Sequence, residues 1–198
     1  MTQHPDRTRK HVNLIILGNS NVGKTQITQR YTKEEISPLT DTKSIGTYVR
    51  KKIVITDTFS MEMEIWVIKS TIGFISIFAP FYLKEADAAI IVIATKTHDL
   101  QMKDLLLYTN LIRTVRGDIP ILLVNNLKKE NPKDYLNYFP LHSIFVEHFT
   151  ELPIDPQQLI AFMHTHDFMG YIECSVDDNI HIEQTFRVVL EALNRPNA

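Results

Sequence analysis

The chain has 198 residues, 44% of them hydrophobic, and a formal net charge of −2. That length suits one domain with an ample core. The charge balance excludes a broad basic face for nucleic acid, the single cysteine (Cys174) excludes a disulfide or CxxC metal site, and no run approaches the roughly 18 apolar residues of a membrane span. The polar stretch MTQHPDRTRK lacks a signal peptide's apolar segment, Thr2 excludes myristoylation, and LNRPNA offers no prenylatable cysteine. The expectation is a cytoplasmic chain without an anchor of its own, brought to membranes only by partners.

Residues 1–10 read as a flexible arm. VNLIIL (12–17) is a short unbroken apolar run, as a strand covered on both faces requires. Lys24–Tyr31 reads as helix, and Glu34–Gly46, with Pro38 and several polar residues, as loop. YVRKKIVI and MEMEIWVI flank TDTFS and suggest an antiparallel hairpin. ADAAIIVIA (86–94) is a second buried strand. Leu105, Tyr108, Ile112 and Val115 have helical spacing, with Gly117 as the stop. IPILLV (119–124) is a strand. Asp155-Pro156-Gln157-Gln158 has the form of a helix start, with aspartate as cap and proline at the first position. GYIEC (170–174) is the sixth strand, and Ile182, Phe186, Val189, Leu190 and Leu193 form the stripe of a last helix. Residues 195–198 are a tail.

Alternating strands and helices predict an α/β fold with a mostly parallel, six-stranded sheet and helices on both faces. Ligands in such folds bind beyond the carboxyl ends of the strands. Gly18, Asn126 and Ser175 all fall there.

GNSNVGKT (18–25) has the spacing of a phosphate-binding loop, and it stands between a buried strand and a helix, as that motif requires. Gly18 and Gly23 let the backbone wrap an anion, the amides of Ser20, Asn21, Val22 and Gly23 line the wrap, Lys24 reaches the outer phosphates and the Thr25 hydroxyl ligates Mg²⁺.

With the order of elements, this loop resembles a Ras-superfamily small GTPase, a P-loop G-domain over residues 11–194. GNSNVGKT is similar to a Rab-type loop. PIDPQQLIAFMHTHDFMGYIECS (153–175) resembles the Rho/Rac branch, and the long stretch 129–153 matches its extra insert. The resemblance implies GTP or GDP as ligand, Mg²⁺ as cofactor, and protein effectors or regulators as partners. It puts the γ-phosphate-sensing hydroxyl of switch I at Ser44, with Thr42 or Thr40 as alternatives, and Ser44 beside Thr25 as the second Mg²⁺ ligand. Ile36 stands where many members place an aromatic against the base. On the base side it carries over Asn126, Ser175 and the backbone of Val176.

Other family positions are changed. Where Asp-x-x-Gly-Gln should follow Trp66, the chain reads Val67, Ser70 and Thr71, so the metal-organising carboxylate and the water-orienting glutamine are missing. The guanine-binding Asn-Lys-x-Asp is Asn126-Leu127-Lys128-Lys129. Losing an aspartate that accepts two charge-assisted bonds costs roughly a hundredfold or more in guanine affinity. The last box is Ser175-Val176-Asp177 in place of Ser-Ala-Lys. The expectation is a nucleotide- or partner-binding module with weak Mg²⁺ binding, weakened guanine preference and little or no hydrolysis. The alternatives are an active molecular switch that uses substitute or partner-supplied groups, and an ATP-dependent phosphotransferase, for which no substrate lid or catalytic acid is evident.

Bland readings serve elsewhere. His164 and His166 lack a third metal ligand, Cys174 is a small buried thiol, and Arg50, Lys51 and Lys52 lie on a solvated edge strand that in this family also receives effectors. Apolar FISIFAPFY (74–82) is either a rigidified former switch or an exposed protein-binding patch.

Overall fold

Unbroken apolar runs need cover on both faces, and in the computed structural model they have it. The structure describes residues 10–33, 47–56, 58–68, 72–94, 102–127, 138–143, 152 and 154–195. Strand β1 (Lys10–Leu17) leads through the loop into helix α1 (Lys24–Thr32). The hairpin β2 (Thr47–Ile55) and β3 (Ser60–Ile68) follows, then α2 (Ile72–Leu83), β4 (Ala88–Ala94), α3 (Met102–Arg116) and β5 (Ile121–Asn126). A two-residue strand β6 (Phe139–Pro140), α4 (Pro156–Thr165), β7 (Gly170–Cys174) and α5 (Ile182–Asn194) complete the order.

Among the described residues the sheet has seven strands in the order β2-β3-β1-β4-β5-β7-β6. All pairings from β3 to β7 are parallel, and the two edge strands pair antiparallel. The count corrects the expected six. The extra strand, β6, is two residues long and half proline, and so carries no alternation to read. β4 and β5 also begin two residues later than expected. Ahead of β4 the Asp87 carboxylate accepts from the Asn13 amide at 2.8 Å. Ahead of β5 the Ile119 carbonyl is taken by the Arg113 guanidinium. β5 also runs two residues further than expected, so Asn126 is the last residue of its strand rather than following it.

β1 shows why the run is continuous. Val12, Leu14 and Ile16 join a core that includes Ile27 and Tyr31 of α1 and Phe186 and Val189 of α5. Ile15 and Leu17 point the other way, into a second core with Ile75 of α2, Leu105 and Ile112 of α3, and Leu159 and Met163 of α4. Helices thus cover both faces. The predicted cap of α4 forms: the Asp155 carboxylate accepts from the amides of Gln157 and Gln158 at 3.4 and 3.3 Å. Gly117, at φ 71°, ends α3.

α2 divides the two readings of the 74–82 stretch. Ile75 and Leu83 are buried, whereas Ile77 and Phe81 are 62% and 67% exposed, so one face packs and the other stays open. The basic triplet on β2 is engaged rather than merely solvated. Lys51 pairs with Glu64, and Lys52 pairs with Glu183 at 3.2 Å while donating to the Tyr31 carbonyl at 2.6 Å. Arg50 lies over the Tyr48 ring. His166 caps α4 and rests against the Phe162 ring. Cys174 is fully buried, which pushes its thiol up. Among the described residues no helix is long and apolar enough to cross a membrane.

Candidate functional site

The loop that leaves β1 bends through three left-handed residues: Gly18 at φ 139°, Asn21 at 63° and Gly23 at 93°. Both glycines are required by space as well. A methyl group on Gly18 would stand 2.2 Å from the Val92 carbonyl of β4, and one on Gly23 would stand 2.2 Å from Asn126 Nδ2. The loop is therefore pressed against the carboxyl ends of β4 and β5.

Gly23 is also the N-cap of α1 and carries no side chain to satisfy the first amides, in contrast to Asp155 on α4. Uncapped first-turn amides and the helix dipole favour an anion at that end. Lys24 sits in the same turn, only 7% exposed. Its ammonium donates to the carbonyls of Gly18 at 2.9 Å and Asn19 at 2.7 Å. Burial pulls it down to about 8 from an ordinary 10.5, so near neutral pH it is a desolvated cation held against the loop. Ser20, Asn21 and Thr25 are exposed, and Val22 is buried.

Three strand-end loops meet here. The Asn126 carboxamide donates to the Val22 carbonyl at 3.1 Å and accepts from the Val176 amide at 3.2 Å. The next amide, that of Leu127, donates to the Cys174 carbonyl at 2.8 Å. The structure thus brings Gly18–Thr25, Asn126 and Val176 together. Ser175 closes a turn of its own: its hydroxyl donates to the Asp178 carboxylate at 2.7 Å and its backbone bridges Ile180.

The remaining predicted positions divide in two. Thr40, Thr42, Ser44, Ile36, Ser70, Thr71, Lys128, Lys129 and most of the 129–153 stretch lie outside the described residues. Val67 is described, at the end of β3 next to β1, and it is 2% exposed. A buried valine offers no donor to a cation, so of the Mg²⁺ ligands drawn from the resemblance only Thr25 stands among the described residues. The phosphate half of the site fits its ligand, with a glycine cradle, an uncapped helix start and a buried ammonium. On the metal side Thr25 is described, Val67 offers no ligand, and the switch candidates lie outside the described residues.

Sequence reasoning missed three residues. Asn19 occupies a position of the motif with no required residue type, yet its side chain is held from α3: Nδ2 donates to the Asp104 carboxylate at 3.1 Å, and the Tyr108 hydroxyl donates to Oδ1 at 2.6 Å. Asp104 and Tyr108 stand one helical turn apart. That spacing was the only available signal.

Residues 13–129, more than half of the chain, match a known domain family, Roc, described as "Ras of Complex, Roc, domain of DAPkinase". The chain belongs to the Roc family. Roc is a P-loop, Ras-superfamily GTPase domain, which agrees with the fold and with the phosphate loop. Family membership makes this a GTPase-like, nucleotide-binding type of domain, whose ligands are GTP and GDP and whose usual metal is Mg²⁺. No curated protein matches the chain.

Proposed function

We propose that this Roc-family chain is an atypical G-domain, spanning residues 11–194, that binds GTP or GDP through its phosphates and hydrolyses GTP very slowly or not at all. The loop Gly18, Ser20, Asn21, Val22, Gly23, Lys24 and Thr25 holds the phosphates. Asn126, Ser175 and Val176 form the base side, with weakened guanine preference, and Ser44 or Thr42 supplies the switch hydroxyl. The bound nucleotide serves as a structural or slowly exchanging element, and the output is protein recognition in cytoplasmic signalling, trafficking or cytoskeletal work. The Rho-like segment 153–175, the lengthened 129–153 stretch and the Rab-like loop fit that role.

One observation carries the reading. The buried Lys24 ammonium stands at an uncapped helix start, while the end of β3 presents the buried, non-ligating Val67. Binding without efficient turnover is what that combination supports.

The test takes protein purified without added nucleotide, denatures it, and identifies what is released by ion-pair chromatography, alongside single-turnover hydrolysis of GTP with Mg²⁺. Released GTP, or GTP uptake with hydrolysis far below the intrinsic range of small GTPases, is the expected result. A rate within that range establishes the alternative, an active switch with substitute or partner-supplied groups. A folded protein that takes up neither GTP nor GDP overturns nucleotide binding.

A further inference from the structure

Asn19 is the one residue of the loop that faces two ways. Its main-chain carbonyl accepts from the Lys24 ammonium at 2.7 Å, closer than the Gly18 carbonyl at 2.9 Å. Its carboxamide is held by α3 through both polar atoms, with Nδ2 on Asp104 and Oδ1 on Tyr108. The Tyr108 ring is buried, and burial together with the neighbouring Asp104 charge pushes its hydroxyl up, so it remains a proton donor. The carboxamide therefore has a single orientation that satisfies both partners, donor toward the carboxylate and acceptor toward the phenol.

α3 is itself held at its other end. The Arg113 guanidinium donates to the carbonyls of Gly117, Ile119, His166 and Asp167 at 2.7–3.0 Å. Arg116 Nε donates to the Ala86 carbonyl at 2.6 Å. The helix is a strut fixed to the far end of the sheet at one end and to the phosphate loop at the other.

From this geometry we infer that Asn19, gripped by Tyr108 and Asp104, is the positioning residue of the loop: it sets the carbonyls that hold the Lys24 ammonium, and so makes α3 the element that places the site's cation. The consequence for affinity rests on the phosphate-binding reading above. The grip itself does not. Neither the carboxamide nor the phenol touches a phosphate or a reacting atom in this role; both act through Lys24.

The test reads Lys24 directly. Trace acetylation of the folded, nucleotide-free protein with acetic anhydride, followed by peptide mass spectrometry, reports how tightly its amine is held. The variants are Asn19→Ala and Tyr108→Phe, with Leu106→Ala, an exposed position on the same helix, as control. Tyr108→Phe is expected to raise Lys24 acetylation about fivefold, the net weight of one neutral hydrogen bond, and Asn19→Ala, which loses both bonds, by at least as much, each weakening GTP binding by a similar factor. Leu106→Ala should change neither. Unchanged Lys24 acetylation in both Asn19→Ala and Tyr108→Phe, with a lowered unfolding midpoint as the only effect, overturns the inference and leaves a structural tie. If one variant fails to fold, the other decides. If the wild-type protein binds no GTP while the variants still expose Lys24, the grip stands and the phosphate-binding reading falls separately.

Discussion

Gly23 and Asn126 stand so close that no methyl group fits between them; a Cβ on Gly23 would lie 2.2 Å from the Asn126 carboxamide nitrogen. The same carboxamide joins Val22 to Val176, so a side chain at residue 23 would pry apart two loops at once. Gly23→Ala adds a left-handed φ of 93° to that clash and should cost more than about 2 kcal/mol of unfolding free energy, read by urea denaturation. Asn126→Ala keeps the backbone and should cost about 1–2 kcal/mol. Its signature is faster hydrogen exchange at the Val176 amide, which loses its acceptor.

Lys24 makes stability depend on pH in a defined direction. Its folded value is about 8 and its unfolded value 10.5, so between them the unfolded chain holds the extra proton and unfolding becomes harder as pH rises. Below pH 8 the buried charge costs on the order of 3 kcal/mol. Cys174, Tyr31, Tyr108 and Tyr171 are all pushed up, so above their ordinary values of 9.0 for the thiol and 10.0 for the phenols the unfolded chain sheds protons first and stability falls. The unfolding midpoint in urea should therefore peak between about pH 8 and 9. Lys24→Met should abolish the rise while removing phosphate binding. On the proposed phosphate role of Lys24, GTP affinity in the wild type follows the opposite course, falling as pH passes about 8, where the ammonium is lost.

The base side predicts a gain of function. Lys129 replaces the aspartate by which the resemblance recognises guanine, and Lys129→Asp returns a two-bond acceptor. The ratio of GTP to ATP affinity, measured by calorimetry, should rise on the order of a hundredfold. A ratio unchanged by the substitution would mean that another residue reads the base.

Arg113 ties the carbonyls of Gly117, Ile119, His166 and Asp167 to the end of α3. Arg113→Met should destabilise the fold by about 2 kcal/mol, since a charged donor to four part-buried or exposed carbonyls is lost. Arg113→Lys should recover little, because a single ammonium cannot span two pairs of carbonyls as the planar fork does. Thermal unfolding of the three proteins checks the order.

What the sequence made legible was local. GNSNVGKT carries its own geometry in its glycines, Asp155-Pro156 carries its own cap, and the runs at β1 and β4 report burial on both faces without reference to any partner. What stayed hidden was distant or short. Tyr108 meets Asn19 across 89 positions, and nothing in either residue's neighbourhood announces the pair. Arg113 reaches His166 and Asp167 over 53 and 54 positions, and with them it draws Ile119 out of the strand that its apolar character had promised. β6 has two residues, one of them proline, too few to show a period. At Ser175 the resemblance put a base-side serine, and its hydroxyl goes to Asp178, three residues on.

The bonding of Lys24 bears on how strongly an anion could be held. The Gly18 and Asn19 carbonyls accept from the buried ammonium, so a phosphate entering the loop would compete with main-chain acceptors for it. The gain on binding is then the difference between a phosphate oxygen and a carbonyl as acceptor, not the whole worth of a charge-assisted bond.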